Sequence, residues 1–247
     1  MNLGDSMIKL LQGDCLERMK EIESGSADMV LTDPPYGTTA CKWDSIIPLE
    51  PMWEQLKRVI KPNGAIVMTA SQPFTATLIA SNMKMFKYCW VWEKDNGKGH
   101  LNAKKQPLRA HEDIVVFYGK QPVYFPQMVE AIRPSNKSSK KKKDSIAKVY
   151  GKFQEYERGG SMLRYPRSVQ KINTVNHGER VEHPTQKPVA LMEYMIKTYT
   201  NEGDTVLDFA MGSGTSMVAA KNLNRYGIGI ELDEAYFRIA QDRIEAA

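Results

Sequence analysis

Cysteine is scarce in this sequence: three residues in 247, Cys15, Cys41 and Cys89, separated by 26 and 48 positions. That spacing fits neither a zinc-ligand nor a redox pattern, so the three read as reduced packing residues. The four histidines, His100, His111, His177 and His183, form no H-E-x-x-H motif and do not cluster with cysteine, and no metal site is expected. No apolar run approaches the ~18 residues of a membrane span. The opening MNLGDSMIKLLQGD lacks a basic stretch followed by an apolar core. A secretory signal is therefore unsupported, and a cytoplasmic location with no membrane partner is expected. No internal repeat is visible.

What is present is ordinary globular material, 42% apolar and 26% charged, which argues against a disordered or fibrous chain. At this length roughly 73% of the extended surface can be buried without staples. One domain, or one domain with an insert, is the expectation from size.

Charge is spread unevenly. Between Arg133 and Lys152, eight bases (Arg133, Lys137, Lys140, Lys141, Lys142, Lys143, Lys148 and Lys152) stand against one acid, Asp144. That stretch carries +7 in a chain whose total is +5, so the remainder is nearly neutral. One strongly basic segment on a near-neutral body points to a polyanion partner. The composition SNKSSKKKKDS also describes a solvated lysine loop that cannot bury itself; the two readings are compatible, because such a loop can order on DNA. A second basic cluster, Lys98, His100, Lys104, Lys105 and Arg109, faces phosphates or is an ordinary exposed loop.

Strand-like and helix-like segments alternate as in a parallel sheet wrapped by helices. Strands are expected over Ile8–Leu11, Met29–Thr32, Ala65–Thr69, Tyr88–Glu93, Ile114–Tyr118, Thr205–Phe209 and Gly227–Glu231. Helices are expected over Cys15–Ile22, Leu49–Ile60, Pro73–Met83, Pro188–Tyr199, Gly214–Leu223 and Glu234–Ala246. Lys61-Pro62-Asn63-Gly64 reads as a helix stop and turn. The pattern lapses between about Gly119 and Glu182, a polar, basic stretch interleaved with aromatics, which reads as an insert within one α/β domain. Trp90 and Trp92 alternate on a strand and read as packing residues.

Two places carry chemistry. Near the C-terminus, the apolar strand ending at Asp208 runs through Phe209-Ala210-Met211-Gly212-Ser213-Gly214-Thr215 into a helix. Glycines there let backbone approach a ligand at a helix N-terminus. Glu231 ends the next strand, where an acid can accept hydrogen bonds from ribose hydroxyls. The plainer reading is a tight β–α turn and a surface acid.

The other place is Asp33-Pro34-Pro35-Tyr36-Gly37, directly after the apolar strand ending at Thr32. Ligand and catalytic groups in open α/β sheets gather at such carboxyl ends. Two prolines stiffen the backbone and lack N–H groups, so the Pro34 carbonyl can face a ligand. With Asp33 as acceptor and Tyr36 as a flat ring, they form a slot for a planar heterocycle bearing an exocyclic amine. A carboxylate and a carbonyl aimed at the two N–H bonds stabilise the charge that develops as the nitrogen attacks an electrophile. Trp43-Asp44, close behind, lines such a pocket or belongs to the core.

On these residues the sequence resembles the S-adenosylmethionine-dependent amino-methyltransferases of DNA. Asp-Pro-Pro-Tyr is that family's catalytic signature, and Asp-x-Phe-x-Gly-x-Gly is its turn on the methionine side of the cofactor; here Asp208 to Gly214 departs from the usual form ahead of the first glycine. Gln12-Gly13-Asp14-Cys15 is similar to the segment contacting the cofactor's adenine. His183-Pro184-Thr185-Gln186-Lys187-Pro188 is similar to the element before the helix that packs over the methionine moiety, and Glu231 falls where the ribose-binding acid is expected. The order, catalytic signature first, basic insert second and cofactor turn last, resembles the β-class, a permuted version of the common fold.

The resemblance implies an α/β, doubly wound, mostly parallel Rossmann-like sheet in permuted order. Residues 1–118 would form the catalytic half, 119–182 a target-recognition insert and 183–247 the cofactor half. It implies catalytic Asp33, Pro34, Pro35 and Tyr36, with S-adenosylmethionine held by Asp14, Cys15, Asp33, Thr185, Lys187, Asp208, Phe209, Gly212, Gly214, Thr215 and Glu231. The expected reaction is methylation of adenine N6 in double-stranded DNA by base flipping, with cytosine N4 as the alternative acceptor. A DNA-binding protein with a lost active site is a further alternative, against which Asp33, Tyr36, Gly212 and Gly214 speak. The resemblance also leaves room for a homodimer, a cognate restriction endonuclease and nucleoid association.

Overall fold

The computed structural model describes residues 7–38, 44–134, 160–175 and 186–247. Cys41, Trp43, Lys140–Lys143, His177, His183 and Thr185 lie outside the described residues. Two compact units are distinguished, Met1–Phe125 with Ser168–Ala247, and Pro126–Arg167. The second lies inside the expected insert and is narrower than 119–182.

The larger unit is built on one eight-stranded sheet. In chain order its strands are β1 (Ile8–Gln12), β2 (Ala27–Thr32), β3 (Ile60–Ala70), β4 (Phe86–Lys98), β5 (Arg109–Phe117), β8 (Val169–Lys171), β9 (Thr205–Asp208) and β10 (Tyr226–Glu231). The order across the sheet is β1-β10-β9-β2-β3-β5-β4-β8. β1, β10, β9, β2 and β3 run parallel; β5 is antiparallel to both β3 and β4. From β2 the chain proceeds one way to β3, and from β9 the other way to β10. The switch point of this doubly wound sheet therefore lies between β2 and β9, where ligands bind beyond the strand ends.

Strand alternation sorts the core. Met29, Leu31 and Val67 join α4 (Val189–Tyr199) and α5 (Thr215–Asn222) on one face. Val30, Ile66 and Met68 join α1 (Cys15–Met19), α2 (Leu49–Val59) and α3 (Phe74–Ser81) on the other. In α2 the apolar stripe Met52, Trp53, Leu56 and Val59 is buried, as helical spacing requires. α6 (Glu234–Ala246) closes the chain, its N-terminus capped by Asp233. Trp90 and Trp92 are buried, and each indole N–H has an acceptor, Tyr199 Oη and the Ile172 carbonyl.

Three local expectations are corrected. α1 ends at Met19, short of Ile22. Lys61–Gly64 is no free turn: it is an excursion within β3, because Ala27 pairs with Ile60 and Met29 with Ala65, leaving only Asp28 opposite. Lys61 Nζ bonds Asp28 Oδ1 at 2.6 Å, and a Cβ on Gly64 would stand 2.7 Å from the Asp28 carbonyl oxygen. The third is β8, which rejoins the sheet parallel to β4 inside the span assigned to the insert.

In the smaller unit, β6 (Val129–Glu130) pairs antiparallel with β7 (Leu163–Arg164). Among the described residues no helix is long and apolar enough to cross a membrane.

Candidate active site

Beyond the carboxyl ends of β2 and β9 opens a cavity of about 1230 Å³. That exceeds the roughly 300–1,000 Å³ of a single small-molecule site, which leaves room for two ligands side by side. Asp33, Pro34, Pro35 and Tyr36 all line it. So do Asp14, Cys15, Lys187, Asp208, Phe209, Gly212, Thr215 and Glu231. Gly214 does not.

Asp33 stands at the end of β2 with its carboxylate held entirely by side chains. Oδ1 accepts the Tyr36 hydroxyl at 2.6 Å and the Thr69 hydroxyl, and Oδ2 accepts Lys187 Nζ at 2.6 Å. These partners come from the turn itself, from β3 and from the segment leading into α4. Tyr36 lies against Phe74, ring centroids 5.4 Å apart and planes 22° from parallel. Burial, with the Asp33 carboxylate beside it, holds the Tyr36 phenol well above its ordinary pKa. The loop behind is gathered by Asp44, whose carboxylate accepts the backbone N–H of Tyr36, Gly37 and Thr38.

Lys187, only 6% exposed, begins a row of alternating charges. Its Nζ is 3.3 Å from Glu112 Oε2, and Glu112 pairs in turn with Lys94. Burial works against the Lys187 charge, but Asp33 and Glu112 prevail and hold the ammonium above the usual lysine range. A buried charge of this kind must be paired, since removing one partner strands the other.

The turn after β9 is organised differently. Asp208 is buried and accepts from Thr32 Oγ1 at 2.6 Å, from Ser216 Oγ and from the Ala210 N–H at 3.0 Å. Burial pushes its carboxyl up to about 6. Asp208 thereby ties β2, β9 and the start of α5 together. Gly212 and Gly214 have φ of 54° and 79°, a region that favours glycine. A Cβ on Gly214 would stand 2.9 Å from Ala240 Cβ, so this glycine serves the approach of α5 to α6 and not the cavity wall. Phe209 is a core residue at 1% exposure.

Glu231, ending β10, accepts the Gly212 N–H at 2.9 Å on Oε2 and the Asp233 N–H at 2.8 Å on Oε1. Burial raises its pKa. An ionised carboxylate has about four acceptor positions, so two backbone donors leave capacity for a ribose diol. The apolar Leu232, Ile47 and Pro48 line the same cavity and offer surface to a heterocycle. The Glu231 acceptors and the apolar walls thus fit a nucleoside cofactor. Asp14 spends Oδ1 on capping α1, accepting from Leu16 and Glu17 N–H. Burial, with Asp14 nearby, pushes the Cys15 thiol up to about 12, which leaves it a packing residue on the cavity wall.

Sequence reasoning missed Thr32, Thr69, Phe74, Lys94, Glu112 and Ser216. Lys94 and Glu112 had a signal: each is a charge at the edge of an apolar strand segment, Lys94 just after Trp90-Val91-Trp92 in β4 and Glu112 just before Ile114–Phe117 in β5. Thr69 also had one, at the carboxyl end of the strand beside β2.

The profile of the DNA methylase family matches residues 27–242. The type II methyltransferase M.HpaI of Haemophilus parainfluenzae is 30% identical over 253 residues, spanning 96% of this chain and 74% of that protein. M.BglII of Bacillus subtilis is 33% identical over 254 residues, spanning 94% and 67%. Among solved structures, the complex of M1.HpyAVI with SAM gives a TM-score of 0.65 at 27% identity, covering 96% of this chain and 98% of that one. The cytosine-N4-specific PvuII DNA methyltransferase gives 0.69 at 17% identity, a likeness of fold. With both strand-end turns inside the match, the chain belongs to the DNA methylase family, the β-class amino-methyltransferases of DNA.

Proposed function

We propose that this protein transfers a methyl group from S-adenosylmethionine to N6 of adenine in duplex DNA, taking the base out of the stack to reach it. The observation that carries the reading is the single cavity at the sheet's switch point, with Asp33 on one side and Glu231 with the glycine turn on the other. S-adenosylmethionine is the cofactor, and it supplies a methyl group bound to a positively charged sulfur. Glu231 accepts from its ribose; the backbone around Gly212 and the cavity walls at Asp14, Cys15 and Thr215 enclose it. Asp208, Phe209 and Gly214 act one step away, by fixing the turn.

On the other side, Asp33 and the Pro34 carbonyl accept the two N–H bonds of the exocyclic amine. As the nitrogen bonds the methyl carbon, the carbon–sulfur bond would break with its electron pair left on sulfur. The positive charge developing on nitrogen meets acceptors already aimed there that need no reorganisation, and one N–H proton would then pass to water. Tyr36, backed by Phe74, offers its ring to the base, and Pro35 stiffens the turn. Lys187 exchanges one Asp33 oxygen for the incoming amine while Glu112 keeps its charge paired. The smaller unit, with the basic segment that begins at Arg133, is the target-recognition region.

The cytosine N4 amine presents the same two donors to the same acceptors. Incubating the purified protein with plasmid DNA and S-adenosylmethionine, then digesting to nucleosides, separates the two by mass. N6-methyldeoxyadenosine is expected; N4-methyldeoxycytidine alone would move the assignment to cytosine, and no methylated nucleoside would sink the reading.

A further inference from the structure

The β4–β5 hairpin extends beyond the cavity with a tip of unusual composition. Lys98, the last residue of β4, pairs with Arg109, the first of β5, and both line the same cavity as Asp33 and Tyr36. Every residue from Lys98 to His111 is exposed. Over Asn96–His111 the sequence holds Lys98, Lys104, Lys105 and Arg109, two histidines and no acid. A protein partner would meet four cations here that pair with no acid among the described residues; a polyanion would neutralise them.

The tip is nonetheless built. Gly99 takes φ of 96°, and the Asn102, Ala103 and Lys105 N–H groups bond the Gly99, His100 and Asn102 carbonyls at 2.8–3.1 Å. The lower arm is closed where Gly97 meets Leu108, so tightly that a Cβ on Gly97 would stand 2.7 Å from Leu108 Cβ. Asp95, within β4, fastens it to the segment that follows β8 by accepting the Thr174 N–H and hydroxyl at 2.8 and 2.7 Å. On this supported tip Leu101 is 102% exposed. Lone exposed leucines are common. This one is the apolar point of a wholly cationic projection rising from the rim of the site.

We infer that Leu101 is a wedge that enters the DNA duplex beside the target base, while Lys98, Lys104, Lys105 and Arg109 hold the flanking phosphates. Apolar side chains of this kind separate base steps when cations grip the backbone. Drawing a base out of the stack opens a gap, and a leucine filling it lowers the cost of extrusion. The inference rests on the base-flipping reading above and adds the residue that carries the unstacking.

The test compares two duplexes of one sequence containing the target site, one fully paired and one with an abasic position opposite the target base. Methyl transfer is measured on both with the full-length wild type, Leu101→Ala, Leu101→Phe and the double variant Lys104→Ala/Lys105→Ala. Leu101→Ala should lower kcat/KM on the paired duplex by about tenfold and stay within about twofold of wild type on the abasic one. Leu101→Phe should retain activity on both. The double lysine variant should weaken both equally and flatten the salt dependence by roughly 0.9 per contact.

Unchanged kcat/KM for Leu101→Ala on the paired duplex, or an equal loss on both, overturns the wedge while wild-type transfer upholds the methyltransferase. A wild type that methylates neither duplex overturns both readings.

Discussion

The turns after β2 and β9 end adjacent strands, yet the acids that flank the cavity there, Asp33 at the end of β2 and Glu231 at the end of β10, are held by different kinds of partner. Asp33 is gripped by three side chains from three elements, Tyr36, Thr69 and Lys187. Beside the other turn, Glu231 is gripped by the backbone N–H groups of Gly212 and Asp233. Side-chain partners swing away when a ligand offers a better donor; backbone partners move only with the chain. The first arrangement suits a group that must exchange hydrogen bonds during a reaction. The second suits one that must stay put while a cofactor arrives, and Asp208, bonded to Thr32, joins the two.

The largest expected effect comes from removing the exchangeable acid. Asp33→Ala should reduce methyl transfer by at least about 10²–10³-fold, the scale for losing a preorganised electrostatic contact. Cofactor affinity should hardly change, because the fixed acid lies on the other strand end. Turnover and cofactor titration on one preparation check both halves. Full turnover would remove Asp33 from the chemistry, and a parallel loss of cofactor binding would dissolve the division between the turns.

A smaller effect of opposite kind is expected from Glu231→Ala. Cofactor affinity should weaken by about 1–3 kcal/mol, the value of hydrogen bonds to a charged group, with turnover at saturating cofactor mostly kept. Calorimetric titration with S-adenosylmethionine reads the first and steady-state kinetics the second. If affinity is unchanged, Glu231 holds only the Gly212 turn and not the ribose.

Much of this contrast is legible in the sequence, because both turns announce themselves through residues with restricted or permissive backbones. Proline pairs and glycines mark where strands end whatever the surroundings, and short apolar runs bounded by such turn signals place β2, β9 and β10. What the sequence withholds is which distant side chains meet there. Lys187 reaching Asp33, and Glu112 reaching Lys187, join residues 75 to 154 positions apart; only the sheet order brings them together. The Lys61–Gly64 excursion was hidden for a related reason. Its Pro-Asn-Gly reads as a turn from local chemistry, and only the fixed register of β2 against β3 keeps it inside a strand.

The smallest effect concerns Asp208, which links the two turns and pays for its burial. Its carboxyl is raised from 3.8 to about 6, by burial first, with the Ser216, Thr32 and Ala210 bonds offsetting part of that. The folded state therefore holds this proton more tightly than the unfolded chain. The stability it contributes is fully present below pH 3.8 and is lost as pH rises through about 6. Between pH 5 and 7.5 that loss is on the order of 1 kcal/mol, or roughly 2–4 °C in Tm for a chain of this length. Asp208→Asn cannot ionise and sheds the slope. It also disturbs the acceptors for Ser216, Thr32 and Ala210, which lowers Tm by an amount independent of pH. The quantity to follow is the Tm of the variant minus that of the wild type: it should rise by those few degrees from pH 5 to 7.5. A flat difference would mean that water reaches Asp208, and that the link between the strand ends is more exposed than its packing implies.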